Sequence, residues 1–427
     1  AQLQAQRVHR SALLQKHSCG WFRRPEEFAR LAGAIVPKIR ELTGGSRILY
    51  LYPPNKPVHF AGRELELAQL LDAFRHPAPA IVAVIGMGGQ GKSTLVHRAL
   101  EEYSPGLFAT GFWWSADRAG GGFDFFLDEA LLHLTQGRYD KRESPEKRQR
   151  VMRLLTILQQ RPVVLAIDGI QCWLRGWQSS TDDGLSSSSP DARAGSDVEL
   201  DDFLSSVSAL NNGSHLILTS HALPEALDNT DRVLVPVYEP EKRFSLEGLD
   251  SKAATGLLRA YGVRGAEDEL VDLASQYGNH PLALCLLGAH LKKHHGGTIV
   301  RLTTDASNNP VGKLYDLLDK ASTRLPDQAR AGLLMSVIAH SLGPAELGTI
   351  TWVFDHSSSG WLERVGRWLT LPTDGKEPSE RSLSSVRDLA VMISEWQFAG
   401  WDAVSQTVTM HPLVIEFFRR RTARPGV

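Results

Sequence analysis

Apolar positions follow two rhythms along this chain, and the change from one to the other divides it. From about residue 61 to 240, short continuous apolar runs are interleaved with segments whose apolar residues recur every three or four positions. That alternation predicts a parallel sheet with crossover helices, an α/β fold. The expected strands are 81–85 (Ile-Val-Ala-Val-Ile), 109–114 (Ala-Thr-Gly-Phe-Trp-Trp), 162–167 (Pro-Val-Val-Leu-Ala-Ile), 215–219 (His-Leu-Ile-Leu-Thr) and a short 233–237 (Val-Leu-Val-Pro-Val). Ahead of them, 25–42 has amphipathic helical spacing closed by Gly44-Gly45, a Pro-rich joint follows at 53–57, and 61–74 is again helical. Beyond 240 the continuous runs nearly vanish, and 250–261, 266–277 and 281–293 read as short helices. Residues 312–427 form a further, mostly helical block in which a β-like run, Gln406 to His411, precedes a last helix, an order that suits a winged helix. The stretch Gln178–Asp197 is rich in Ser, Asp and Gly without any period, and reads as a mobile surface insertion.

A length of 427 residues calls for two to four domains. The pattern divides them into an N-terminal helical linker or effector end (1–57), an α/β domain (58–240), a helical domain (241–300) and a winged-helix domain (301–427). With 47 basic and 48 acidic residues, the net charge of −1 argues against a polyanion-binding surface over the whole molecule. The local run Arg419-Arg420-Arg421 reads as a solvated helix C-terminus. The three cysteines, Cys19, Cys172 and Cys285, share no metal-ligand or redox spacing, which suits a reducing compartment. Without a membrane-length apolar run or a secretory signal, a cytoplasmic protein is expected, and the polar start at Ala1 suggests a piece of a longer chain.

The chemistry concentrates where the first apolar strand runs into Gly86-Met-Gly88-Gly89-Gln90-Gly91-Lys92-Ser93-Thr94. This is the G-x-x-x-x-G-K-S spacing of a phosphate-binding loop. Its glycines allow positive φ and turn successive N–H groups towards a phosphate chain, and a helix N-terminus adds partial positive charge. Lys92 would reach the β- and γ-phosphates, and the Ser93 hydroxyl would be a ligand of Mg²⁺. Downstream, the apolar run 162–167 ends in Asp168, a carboxylate suited to holding Mg²⁺ beside the loop strand. The next strand ends in Thr219-Ser220, which would bring hydroxyls near the γ-phosphate.

The ordered segments "HFAGRELEL", "GMGGQGKSTL", "GFWWS", "VVLAIDGI", "HLILTS", "FSLEGLD", "YGNHPLALCLLGAHL" and "MHPLVIEFF" resemble the STAND class of signal-transduction ATPases, and within it the NB-ARC and related bacterial branches. The resemblance implies a P-loop domain, a small helical domain and a winged-helix domain folded over bound ADP. It further implies opening by ATP exchange, self-association, and effector and sensor regions outside this sequence, in bacterial signalling or defence. By position, Val58, Phe60 and Arg63 would lie on the adenine side, Pro281 would pack on the base or ribose, and His411 would contact the β-phosphate of ADP. Read without that resemblance, Pro281 is a first-turn helix proline after the N-cap residue Asn279.

Three departures from the family pattern stand out. Gln171 occupies the place where members carry an acid three residues after the Mg²⁺ Asp, which points to slow hydrolysis, since a glutamine orients water without taking its proton. His221 stands where the sensor strand commonly ends in Arg, and Pro412 follows His411 as in bacterial members. A DNA-binding regulator is the alternative reading, disfavoured by the neutral charge and the lack of a basic recognition helix. A small-molecule phosphotransferase would need an Arg- or Lys-bearing lid that the sequence does not show.

Overall fold

The computed structural model describes residues 48–51, 54, 57–78, 80–102, 110–116, 122–176, 190–228, 233–234, 246–300, 310–341, 345–356, 380–403 and 406–422. The amphipathic stretch 25–42, most of the Pro-rich joint, Cys19 and residues 178–189 lie outside them. The chain divides into two compact units. The first takes Ala1–Pro54, Glu64–Met87 and Lys92–Leu246, and the second takes Asn55–Arg63, Gly88–Gly91 and Glu247–Val427.

The first unit is built on six parallel strands: β1 (Ile48–Leu51), β2 (Ile81–Ile85), β3 (Thr110–Ser115), β4 (Val163–Asp168), β5 (His215–Ser220) and β6 (Val233–Leu234), in the order β1-β3-β4-β5-β2-β6. Every residue of β2 to β5 is buried, as a parallel sheet covered on both faces requires. The period of two then sorts side chains between two cores. Val82 and Val84 pack with α1 (Glu64–Ala73) and α2 (Lys92–Glu102). Ile81, Ala83 and Ile85 pack on the opposite face with α3 (Phe123–Leu134), α4 (Lys147–Gln160) and α5 (Val198–Ser208). Arg150 of α4, 3 % exposed, donates to Asp128 at 2.9 Å and Asp124 at 3.1 Å of α3, so a nearly buried charge is paired on both sides.

Four predicted strands appear within a residue of their expected bounds, and of the fifth Val233–Leu234 is described. Strand β1 was not expected: it pairs with β3 from Ile48↔Gly111 to Leu51↔Trp114 in a stretch too short to show a period. The described end of the predicted insertion is also more structured than its composition suggests. Pro190–Arg193 forms a helical turn, Arg193 grips both carboxylate oxygens of Asp228 at 2.6 Å, and Asp197 caps α5 by accepting the Leu200 N–H at 2.9 Å. Asp191 and Asp197 there act as ion-pair partners of Arg175 and Lys147, and Asp197 also as a cap, roles that leave no periodic signature.

The second unit starts with α6 (Ser251–Ala260), α7 (Glu267–Gln276) and α8 (Pro281–His295), close to the three expected helices. Asp250 caps α6, accepting the Ala253 N–H at 2.8 Å, and Gly296 ends α8 in the left-handed conformation at φ 59°. After α9 (Pro310–Ser322) and α10 (Gln328–His340) come β7 (Ala345–Glu346), α11 (Leu347–His356), α12 (Glu380–Glu395), β8 (Ala399–Asp402), β9 (Thr407–Met410) and α13 (Pro412–Thr422). The three strands form an antiparallel sheet in the order β7-β9-β8, and one apolar core runs from Leu249 to Phe418. Among the described residues, no helix is long and apolar enough to cross a membrane.

His290, 1 % exposed inside α8, accepts from Arg324 on Nε2 at 3.3 Å. Burial first, then His294, Arg324 and His295, lower its imidazole to about 4. The folded chain keeps His290 neutral, while the unfolded chain takes up a proton as pH falls below the ordinary value of about 6.5. Its stabilising contribution is therefore complete above about pH 6.5 and is lost towards pH 4, by on the order of 3 kcal/mol. Denaturant unfolding at stepped pH should show that slope, and His290→Gln, which keeps an acceptor for Arg324 but does not titrate, should flatten it.

Candidate functional site

The polar groups of the first unit gather at the C-terminal edge of its sheet, where parallel strands end and helices begin. Strand β2 ends at Ile85, the Gly86 N–H donates to the Ser220 carbonyl at 3.1 Å, and α2 starts at Lys92. Lys92 is 8 % exposed, and its ammonium donates to the Gly86 and Met87 carbonyls at 2.8 Å each. The lysine thus closes the loop on itself and holds its charge at the helix start.

Asp168, 5 % exposed, is the meeting point of this edge. Its Oδ1 accepts from Ser93 Oγ at 2.5 Å and Thr219 Oγ1 at 2.6 Å, and its Oδ2 accepts from Ser115 Oγ at 3.1 Å. Thr219 Oγ1 in turn accepts the Gly169 N–H at 2.9 Å. The expectation that Asp168 lies directly beside the loop strand is corrected here. Strand β5 stands between β2 and β4, with Ile85↔Ser220 on one side and Asp168↔Thr219 on the other. Thr219 consequently spans the extra strand, and Ser93 reaches Asp168 from the helix. Strand order is decided by which crossovers pack, so the separate strand patterns could not reveal it.

His221 follows β5. Surrounding protein and, after it, the Lys92 ammonium lower its imidazole below the ordinary histidine value, although part of its surface stays open to solvent. Gln171 lies in the turn Ile170–Trp173 just past Asp168, and its Oε1 is buried without a hydrogen-bond partner among the described residues. Thr94 sits half-buried in the first turn of α2.

The middle of the loop, Gly88 to Gly91, belongs to the second unit. Gly89 and Gly91 have φ of 76° and 89°, so the left-handed backbone that the spacing implied is present at both. Gln90 is 6 % exposed, and its carbonyl accepts from Arg63 at 3.3 Å. Arg63, itself left-handed at φ 72°, also donates to the Glu247 carbonyl. Val58 and Phe60 are 67 % and 38 % exposed. Pro281 opens α8, and its N-cap is His280 rather than Asn279, which is left-handed at φ 51°. His411 precedes α13 and accepts the Leu413 N–H on Nδ1 at 3.2 Å.

The contacts therefore bring Gly86 and Lys92 together, join Ser93 to Asp168, and link Arg63 to Gln90. Two participants escaped the sequence reading. Ser115 closes the quoted segment "GFWWS" but was given no role there, and His280 was overlooked beside its proline.

The residues fit the group expected of them. A carboxylate beside a serine hydroxyl is an all-oxygen donor set for a hard cation such as Mg²⁺, and left-handed glycines with a lysine suit a phosphate chain.

A parallel sheet with such a loop and strand-end aspartate defines a P-loop NTPase domain. Residues 64–210 match the NB-ARC domain family. No curated protein matches the chain. Among solved structures, a Signal Transduction ATPase with Numerous Domains (STAND) protein with a tetratricopeptide repeat sensor, from Pyrococcus horikoshii, is similar in fold: TM-score 0.54, 14 % identity, 87 % of this chain covered. This chain spans 44 % of that one. A Walker-type ATPase of Pyrococcus abyssi (TM-score 0.37, 13 % identity, covering 86 % of this chain and 99 % of its own) is also similar. So is Cdc6p from Pyrobaculum aerophilum (0.38, 15 % identity, 87 % and 97 %).

Replacing Thr219 by valine keeps the shape but removes a donor to Asp168 and the nearer of two acceptors of the Gly169 N–H, leaving the Thr219 carbonyl at 3.2 Å. Unfolding free energy without nucleotide should fall by about 1–3 kcal/mol in a denaturant titration. Ser115→Ala, which removes two longer bonds, the donation to Asp168 at 3.1 Å and the acceptance of the Trp113 indole N–H at 3.3 Å, should cost less.

Proposed function

We propose that the chain is an adenine-nucleotide switch of the STAND class, held closed by ADP and opened by ATP exchange to self-associate and activate an attached effector in bacterial signalling or defence. The observation that carries this reading is the convergence of Ser93 and Asp168 at 2.5 Å, next to Lys92, whose ammonium closes on the Gly86 and Met87 carbonyls. Ser93 and Asp168 would hold Mg²⁺, which neutralises phosphate charge when bound. Gly86, Gly88, Gly89, Gln90, Gly91, Lys92 and Thr94 would cradle the phosphates. Val58, Phe60, Arg63 and Pro281 would face the adenosine, and His411 the β-phosphate. The helices and three-stranded sheet from 301 onward are read as a winged-helix domain after a helical domain at 241–300, and the protein as cytoplasmic.

Denatured protein should release ADP, identified by mass spectrometry. Lys92→Ala should abolish that retention because the charge and donors facing the β-phosphate are lost. Nucleotide held by this variant at wild-type stoichiometry would refute the phosphate-loop reading.

The turnover expected is far below the usual enzyme range of roughly 1–10³ s⁻¹, because Gln171 cannot take a proton from water. Gln171→Glu should raise single-turnover hydrolysis; an unchanged rate means that the missing base is not what limits it.

A further inference from the structure

A loop that turns its N–H groups towards an anion turns its carbonyls the other way, and those carbonyls need donors when they are shielded from water. In the second unit each of the first three loop carbonyls has one. His280 Nε2 bonds the Gly88 carbonyl at 2.8 Å, the Leu282 N–H donates to the Gly89 carbonyl at 3.3 Å, and Arg63 donates to that of Gln90 at 3.3 Å. The His280 bond is the shortest of the three, and the residue is 1 % exposed.

The tautomer of His280 follows from its partners. The Ala283 N–H donates to Nδ1 at 3.3 Å, so the ring proton is on Nε2, and Nε2–H is the donor to Gly88. One side chain thus caps α8 with one nitrogen and holds the phosphate loop with the other. The approach is close: a Cβ on Gly89 would stand 2.5 Å from His280 Cε1. A second helix start meets the same loop, since a Cβ on Gly88 would stand 3.0 Å from Leu413 Cγ, just past His411.

We propose that His280 is a positioning residue that ties the conformation of the phosphate loop to the start of α8, so that losing its Nε2–H weakens phosphate holding without unfolding the helix. The proposal rests on the nucleotide reading above. It assigns to the second unit direct control of the loop through a backbone carbonyl, independent of any contact between His280 and nucleotide.

Two substitutions separate the nitrogens. His280→Asn keeps a cap acceptor near Nδ1 but loses the donor, and His280→Gln puts an amide N–H near Nε2 but loses the cap. Release of a fluorescent ADP analogue, in Mg²⁺, is followed by stopped flow, and melting is recorded without nucleotide. The asparagine variant should melt near wild type yet release roughly three- to tenfold faster. The glutamine variant should melt lower yet release within about twofold of wild type. An unchanged off-rate in the asparagine variant, or equal acceleration in both, overturns the proposal. So does ring ¹⁵N NMR that places the His280 proton on Nδ1, a readout that holds even if a variant does not fold. Wild-type protein that binds no ADP analogue overturns the nucleotide reading and the latch with it; wild-type binding with an unchanged asparagine off-rate overturns the latch alone.

Discussion

The arrangement at the edge of the first unit depends on one buried carboxylate. Asp168 is 5 % exposed at the end of a strand whose every other residue is apolar, and a carboxylate in such surroundings needs donors. It draws them from β3, β5 and the first turn of α2 as Ser115, Thr219 and Ser93. Those bonds set where three strand ends and a helix start stand relative to one another. The same group that would hold a metal is thus what the local fold is organised around, so its chemistry and its structural role cannot be separated by deleting it.

The phosphate loop obeys a complementary constraint. Its backbone has two faces, and amides can be offered to a ligand only if the carbonyls are held elsewhere. Lys92 takes those of Gly86 and Met87 in the first unit, while His280, the Leu282 amide and Arg63 take those of Gly88, Gly89 and Gln90 in the second. Lys92 and Arg63, the two cations among these donors, bond backbone oxygens, although a motif reading assigns them to phosphate and base. Arg63, read by resemblance as an adenine-side residue, donates to carbonyls of Gln90 and Glu247.

The misplaced cap at α8 shows where local reasoning runs out. Asn279 and His280 are both reasonable before a first-turn proline, and residue preference favours the asparagine. The helix is capped by His280, whose other nitrogen bonds the Gly88 carbonyl 192 residues earlier in the chain, while Asn279 is left-handed at φ 51°. A preference scale carries no information about a partner so distant in sequence.

What the sequence determined by itself were the features that repeat locally. The strands of the parallel sheet were legible because burial on both faces demands continuous apolar runs, the helices because one buried face demands a period near 3.6, and the phosphate loop because glycine alone tolerates left-handed backbone without strain. Tertiary structure alone decided that β5 stands between the loop strand and the aspartate strand, that the four residues Ile48–Leu51 add an edge, and that a histidine next to a proline holds the loop. Each of these depends on which distant surfaces meet. That is settled by packing all the crossovers and polar partners at once, and no window of neighbouring residues contains it.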